Sequence, residues 1–304
     1  MNIIGHKYIY LTLSGLVLLA SVVFLFAWGL NLGIDFTGGS LMEIEFSQGA
    51  MPSADNVKEV LAPLKLGDIT VQPLGERGMV LRFRDIDEQT HQQMLQAFTT
   101  LKGPTSTTER KFDTIGPTIG HVLRIQALEA VGLAALGIVL YIAWAFRRVS
   151  KPVASWKYGV VAVSAFIHDV TIPVGVFSFL GHFYGISVDA LFITALLTVM
   201  GFSVHDTIVI FDRIRENLAK IKQPEAYEQT VNHSVNETIS RSINTSLTVI
   251  LVLLAIFLFG GESTRYFSLT LIIGIIFGTY SSIFVASPLL VIWQQWDQKR
   301  GHKK

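Results

Sequence analysis

Two His-Asp dipeptides lie in the middle of strongly apolar stretches of the chain. One is His168-Asp169 in SAFIHDVTIPV, and the other is His205-Asp206 in GFSVHDTIVIF. A carboxylate at the depth of a bilayer costs about 2.5 to 3.5 kcal/mol even on lenient insertion scales, so it persists where function or a partner compensates for it. Such an acid can bind and release a proton, or coordinate Na⁺ together with hydroxyl and carbonyl oxygens.

Asp206 has the surroundings expected of an ion-coupling acid. Helical spacing places Ser203, Asp206 and Arg213 on one face. A polar stripe on a later segment contains Arg241, Asn244, Thr245 and Thr248. We expect Arg241 to reach the same depth in the membrane as Asp206. A conformational change that moves the two charges apart would then allow Asp206 to bind and release one proton. The alternative is a static Asp206–Arg241 pair that locks two helices together.

Asp169 has a different context. Pro173 follows four residues later, so the Asp169 carbonyl lacks its usual helical donor, which predicts a local kink or a polar opening. Asp169 is therefore expected to shape a polar path beside Asp206, or to act only as a hydrogen-bonded group. We expect His168 and His205 to belong to this region as hydrogen-bonding neighbours and not as metal ligands. A metal phosphohydrolase would need a soluble cleft and further ligands.

The composition and the hydropathy pattern indicate an integral membrane protein. Half of the 304 residues are hydrophobic, 15% are charged, and the mean hydropathy is +0.48. Six apolar segments are long enough to cross a bilayer. They are Tyr8–Leu30, His121–Phe146, Tyr158–Leu180, Val188–Phe211, Ile243–Gly260 and Phe267–Trp293. The first is too long for the core of a signal peptide and no clear cleavage site follows it, so we expect a retained helix.

The positions of lysine and arginine predict the orientation in the membrane. Short cytoplasmic loops collect these residues. They cluster after the second span, after the fourth span and in the tail, as Arg147, Arg148, Lys151, Lys157, Arg213, Arg215, Lys220, Lys222, Lys299, Arg300, Lys303 and Lys304. Both termini are therefore predicted to be cytoplasmic. The absence of cysteine from the sequence excludes disulfides and thiolate metal sites, and the net charge of +1 gives no indication of nucleic acid binding.

A polar insert follows the first span and has the pattern of a small domain. Strands are predicted at Ser40–Phe46, Ile69–Pro73, Met79–Arg84 and Thr107–Ile115, and amphipathic helices at Ser53–Leu64 and Asp87–Leu101. The order β-α-β-β-α-β predicts a ferredoxin-like α+β fold. The predicted organisation is a first helix in 1–30, an extracytoplasmic domain in 31–120, five helices in 121–293 and a tail in 294–304. The insert is either a spacer or a surface that contacts a translocated partner.

Several motifs resemble those of the SecD/SecF family of protein-export membrane proteins, within the resistance-nodulation-division superfamily. They are GIDFTGG from Gly33, with Asp35, Gly38 and Gly39; His168-Asp169-Val170; GFSVHDTIVIFDRIREN from Gly201, with Asp212, Arg213, Arg215 and Glu216; the segment from Arg241 to Ser246; Phe259-Gly260-Gly261; and the segment from Phe267 to Pro288. The resemblance covers nearly the whole chain. His205 is a departure, since asparagine is associated with that position in many relatives, and it puts the choice of ion in doubt.

The resemblance implies an auxiliary, non-enzymatic subunit of the bacterial inner membrane. It would pair with the six-helix subunit SecD, associate with the SecYEG channel and possibly with YajC, and use a proton or sodium gradient to move preproteins. Asp206 would be the ion-coupling acid and Arg241 its partner, with membrane lipid around the helices and no cofactor besides H⁺ or Na⁺. A small-molecule exporter subunit and a structural scaffold of the channel remain as alternatives.

Overall fold

The computed structural model describes residues 1–47, 51–75, 77–101, 107–147, 154–220 and 227–301. The chain divides into two compact units, a membrane unit formed by Met1–Leu30 with Ala130–Lys304, and a second unit formed by Asn31–Glu129, which contains the polar insert and is called the soluble unit. Several cationic residues that were used to predict the orientation lie outside the described residues: Arg148, Lys151, Lys222, Lys303 and Lys304.

Six helical segments in the described residues are long and apolar enough to span a membrane, which confirms the predicted number. They comprise α1 (Lys7–Trp28), α5 (Pro117–Ala145), α6 (Ser155–Tyr184), α7 (Ala190–Lys220), α8 (Tyr227–Phe259) and a last span formed by α9 (Glu262–Ser281), a π-helical segment (Ser282–Ala286) and α10 (Ser287–Gly301). A short 3₁₀ turn, Ile4–His6, precedes α1. Helix α6 continues through Pro173 as one helix.

Three of the spans form the centre of the membrane unit and three lie at its periphery. In α6, α7 and the last span, half or more of the apolar window is buried, whereas α1, α5 and α8 are mostly exposed. Many large apolar side chains of the peripheral spans are exposed, among them Leu, Ile, Val and Trp residues. Such side chains suit a lipid environment. The acids at positions 169 and 206 both lie near the middle of central helices.

Small residues allow these helices to approach closely. A Cβ atom added to Gly175 of α6 would lie 2.3 Å from Cβ of Ser21 on α1, and one added to Gly274 of α9 would lie 2.1 Å from Cγ2 of Val199 on α7. Gly278 also faces α7, at Ser203. Without a hydrophobic driving force between helices in lipid, close van der Waals packing of this kind holds membrane helices together. The polar groups of α1, α6, α7 and α9 are thereby brought within bonding distance.

The soluble unit has the predicted β-α-β-β-α-β order. Its strands are β1 (Gly39–Phe46), β2 (Thr70–Leu74), β3 (Gly78–Phe83) and β4 (Thr107–Ile115), and its helices are α2 (Ile34–Thr37), α3 (Ala54–Leu61) and α4 (Glu88–Phe98). The sheet has the strand order β2-β3-β1-β4 with antiparallel neighbours, which is the ferredoxin-like arrangement. Met42, Ile44 and Leu81 of the sheet pack with Val57 and Met94 of the two longer helices.

Side-chain caps fix the first turns of α3 and α4. The Ser53 hydroxyl accepts a hydrogen bond from the Asn56 amide, and the Asp87 carboxylate accepts from the Thr90 amide and hydroxyl. The Thr90 side chain, followed by its backbone amide, lowers the pKa of Asp87. Because the pKa is lowered in the folded state, the contribution of this cap to stability is present at neutral pH and is lost as the pH falls through that pKa.

The Gly38-Gly39 pair is required by backbone geometry. Gly38 has φ +73° and ψ 171°, and Gly39 has φ +117°. A Cβ atom on Gly38 would lie 2.7 Å from Cα of Pro117, and one on Gly39 would lie 2.7 Å from the carbonyl oxygen of Phe83. Only glycine adopts the Gly38 conformation readily, and only glycine leaves room for these contacts.

We expect Gly38→Ala to destabilise the soluble unit by about 1–3 kcal/mol, because the backbone strain and the contact with Pro117 act together. The measurement is hydrogen exchange of the β1 amides in the full-length protein. Gly116→Ala is the matched control, since nothing lies within 4 Å of a Cβ added there. Equal exchange rates in the two variants would contradict the explanation.

Candidate functional site

Asp169 is a buried acid of the membrane unit, and both of its carboxylate oxygens have hydrogen-bond partners. It is fully buried, at 0% exposure. Its Oδ2 atom accepts hydrogen bonds from Ser203 Oγ on α7 at 2.5 Å and from Ser281 Oγ on α9 at 2.7 Å. Its Oδ1 atom lies 2.8 Å from His168 Nδ1. A buried carboxylate with this many donors has exchanged its hydration for protein hydrogen bonds.

His168 extends this network to the first helix. Its Nε2 atom lies 2.6 Å from Ser14 Oγ on α1, and both side chains are buried. We define the Asp169 network as Ser14, His168, Asp169, Ser203 and Ser281. It connects four helices through side chains at mid-helix depth. Serines within apolar spans are the feature of the sequence that could have indicated this network. An unsatisfied hydroxyl group is unfavourable in lipid, so such side chains turn towards other parts of the protein.

Asp206 is buried but incompletely bonded. It is 7% exposed, and its Oδ1 atom accepts from Ser242 Oγ on α8 at 2.9 Å. Its Oδ2 atom has no hydrogen-bond partner among the described residues. The Thr279 hydroxyl also lies near the Asp206 carboxyl group, but it is paired with Ser246, and the basic groups of His205 and Arg241 add to the electrostatic surroundings of Asp206. A buried oxygen without a donor is an available position for a proton or for a hard cation.

Further hydroxyl pairs join the helices beside Asp206. Thr207 Oγ1 of α7 lies 2.8 Å from Ser282 Oγ, and Ser246 Oγ of α8 lies 2.5 Å from Thr279 Oγ1 of α9. Ser282 begins the π-helical segment and Ser281 ends α9, so adjacent residues bond to Thr207 and to Asp169. Single π turns within α-helices are frequent at functional sites.

Arg241 does not make the direct contact with Asp206 that was considered from the sequence, and His205 is also at the surface of the isolated chain. Both side chains are exposed in the isolated chain. Within the part of the chain that is described, Arg241 forms no ion pair with Asp206, so the direct contact considered from the sequence is not formed in this conformation. Ser203 shares the α7 face with Asp206 as expected, yet it bonds to Asp169.

The remaining motif residues are in the C-terminal part of α7 and in the soluble unit. At the C-terminal part of α7, Asp212 pairs with Arg215 at 2.5 Å, and Arg213 pairs with Glu216 at 2.6 Å and with Glu237 of α8 at 2.7 Å. These pairs are partly or largely exposed, and such pairs contribute little to stability. Asp35, Gly38 and Gly39 belong to the soluble unit. No group of three or more His, Cys, Asp or Glu that could hold a metal occurs in the described residues.

Comparison with known proteins explains why these motifs occur together. Residues 94–296 match the family model of the protein export membrane protein SecD/SecF, C-terminal, and residues 23–50 match that of the SecD/SecF GG motif. The chain belongs to the SecD/SecF family. Among curated SecD/SecF proteins, it is 42% identical over 309 residues to the protein translocase subunit SecF of Thermobaculum terrenum, covering 98% of this chain and 95% of the relative.

Two further relatives support this SecD/SecF assignment. The protein translocase subunit SecF of Anaerolinea thermophila is 41% identical over 305 residues, which cover 100% of this chain and 97% of the relative. The crystal structure of SecDF from Thermus thermophilus superposes with a TM-score of 0.82 at 31% identity. That match covers 97% of this chain and 39% of the SecDF chain. The family resemblance predicted from the motifs is confirmed.

Proposed function

We propose that the chain is the SecF subunit of the Sec protein-export translocase, and that with SecD it uses a proton or sodium gradient to promote preprotein translocation. The observation that carries the proposal is the full-length similarity to protein translocase subunits named SecF. The buried acid in the SecD/SecF segment at 201–217 supplies a group that such a mechanism requires.

Asp206 is the proposed coupling group. Its unpartnered Oδ2 atom accepts the ion, and binding neutralises a buried charge. A change of charge in buried surroundings shifts the equilibrium between two helix arrangements by more than the same change of charge would in water. The hydroxyl contact of Ser242 places α8 next to the ion-binding acid, and the Thr207–Ser282 pair places the π-helical segment of the last span beside α7. Movement of Arg241 towards Asp206 would then favour release of the ion.

One of the proposed partners is supported by the same comparisons. The similarity to one part of the SecDF chain supports association with SecD. We further propose contacts with SecYEG, with YajC and with translocating preproteins, and a location in the bacterial inner membrane with both termini in the cytoplasm. The protein is proposed to be non-enzymatic and to need no cofactor beyond the coupling ion.

The scaffold alternative is less well supported. A purely structural role for Asp206 would favour a saturated, static contact, as Asp169 has. Asp206 instead keeps one buried oxygen without a partner among the described residues. A small-molecule exporter of the same superfamily is expected to have a larger insert that can hold a substrate pocket, whereas the polar insert of this chain forms one small ferredoxin-like domain.

Reconstitution tests the proposal directly. Vesicles with the SecYEG channel, its ATP-driven motor and SecD would be prepared with and without this chain, and preprotein translocation would be followed after a proton or a sodium gradient is imposed separately. We expect the chain to increase translocation only when one of the gradients is present. Equal translocation with and without the chain under both gradients would refute the function.

A further inference from the structure

We infer that His168, held between Ser14 and Asp169, is a second proton-binding site of the membrane unit. This inference rests on the proposed function, in which the proton is a candidate coupling ion. The ligand is H⁺, and the accepting atom is Nε2 of the imidazole. The site lies on α6 and is separate from Asp206 on α7.

The hydrogen bonds of Asp169 define the state of one ring nitrogen. Both carboxylate oxygens are engaged, with two serine hydroxyls donating to Oδ2. When Asp169 is ionised, its carboxylate is an acceptor only, and the His168 Nδ1 atom, 2.8 Å from Oδ1, then carries a hydrogen and donates it. The Nε2 atom is then the position at which His168 changes its protonation state.

Ser14 suits both protonation states of Nε2. Its Oγ atom lies 2.6 Å away, and a hydroxyl both donates and accepts. When His168 is neutral, the Ser14 hydroxyl donates to the Nε2 lone pair. When a proton binds to that lone pair, Nε2–H donates to Ser14 Oγ, and the serine hydrogen turns to a carbonyl of its own helix. One proton is gained while the heavy atoms remain in place.

The groups around His168 favour this uptake. The cation that forms lies next to the Asp169 carboxylate, and this opposite charge compensates for the burial of the imidazolium. On the packed helices, α1 has no titratable side chain between Tyr10 and Trp28, α7 presents Ser203 with Asp206 one turn further, and α9 presents Ser281 and the edge-on ring of Phe277. The Tyr280 hydroxyl of α9 is engaged with the Tyr10 carbonyl.

The two sites are linked through shared helices. Ser203 bonds to Asp169 and is three residues before Asp206, while Ser281 bonds to Asp169 and precedes Ser282, the partner of Thr207. A shift of α7 or α9 when Asp206 binds an ion therefore changes the bonds that stabilise the His168 cation. By linkage, the proton on His168 changes ion affinity at Asp206 by the same factor.

Nuclear magnetic resonance of the full-length chain with SecD in lipid vesicles, using ¹⁵N-labelled histidine, tests the inference. The chain has 8 histidines, and the signal that disappears in His168→Asn assigns the site. With spectra recorded over about pH 5–8, we expect its Nε2 resonance to change from neutral to protonated as the pH is lowered, and Ser14→Ala to alter that change. An Nε2 resonance that stays constant over this range, or a change that Ser14→Ala leaves unaltered, would overturn the inference.

Export measurements supply a functional readout. We expect His168→Asn to flatten the dependence of gradient-driven export on pH within about pH 5–8. His182→Asn is the matched control, because His182 lies on the same helix with an exposed side chain, and it should keep the wild-type profile. Asn at 168 keeps a donor for Asp169, and the other histidine resonances of the variant should match those of the wild type if it folds normally. An unchanged pH profile in His168→Asn would contradict the inference.

Failure of this inference and failure of the proposed function give different results. Asp206→Asn should abolish gradient-dependent export and leave a titrating His168 resonance, with its midpoint shifted by the linkage. Unaltered export in Asp206→Asn would refute the coupling role of Asp206 while the spectra still report on His168. A constant resonance with normal loss of export in Asp206→Asn would refute only the second proton site.

Discussion

Asp206→Asn is expected to reduce the gradient-dependent part of preprotein export by at least about tenfold, equivalent to about 1.4 kcal/mol of activation free energy. Asparagine keeps an acceptor for the Ser242 hydroxyl but cannot take up a proton or supply a charge for a cation. The measurement is translocation into vesicles that contain SecD and the channel, with and without an imposed gradient. Export without the gradient should be unchanged.

Two other variants sharpen this test. Asp206→Glu keeps the acid and should retain part of the gradient response. Arg241→Met should give a loss similar to that of Asp206→Asn, if the arginine approaches the acid during the cycle, although the two side chains are not paired in this structure. A gradient response of normal size in Asp206→Asn would assign the acid to a structural role and favour the scaffold alternative.

Asp169→Ala is expected to destabilise the membrane unit by at least about 3 kcal/mol. The substitution removes the acceptor shared by His168, Ser203 and Ser281, and each buried donor left without a partner costs about 1–3 kcal/mol. The loss would be measured as the change in thermal unfolding of the detergent-solubilised complex. Asp169→Asn should cost less, because its carbonyl oxygen still accepts from the serines and its amide can donate to the other histidine tautomer.

Thr171→Ala is the control for this prediction. It lies two residues further along α6, and its hydroxyl donates to the Ile167 carbonyl of the same helix. Its stability should remain within about 0.5 kcal/mol of the wild type. A similar loss in Asp169→Ala and Thr171→Ala would show that the Asp169 network does not hold the four helices together.

Local patterns predicted the elements well. Long apolar stretches predicted six spans, and alternating residues predicted β1 and β4 to within one residue at either end. The Ser53 cap was also readable, because a capping serine acts on the amide three residues later. Helix ends were less predictable: α7 and α8 extend well beyond the apolar segments, since their polar parts are stabilised by contacts such as Arg213–Glu237.

The partners of the buried acids were less accessible to sequence reasoning. Ser14 is separated by 154 residues from His168, and Ser281 by 112 from Asp169. No local feature of the sequence around a serine in an apolar span identifies its hydrogen-bond partner. The close packing at Gly175 and Gly274 determines which helices are in contact. Helical spacing placed Arg241 on a polar stripe that could approach Asp206, but the packing of the helices leaves Arg241 exposed.

The sequence by itself determined the six spans, the order of elements in the soluble unit, and the presence of two acids at membrane depth, because these depend on residue type and short-range periodicity. Only the tertiary structure decided that Asp169 is saturated by hydrogen bonds while Asp206 keeps an unpartnered oxygen among the described residues. The physical reason is that burial and hydrogen bonding of a side chain depend on the neighbouring helices, which residues far apart in the chain provide.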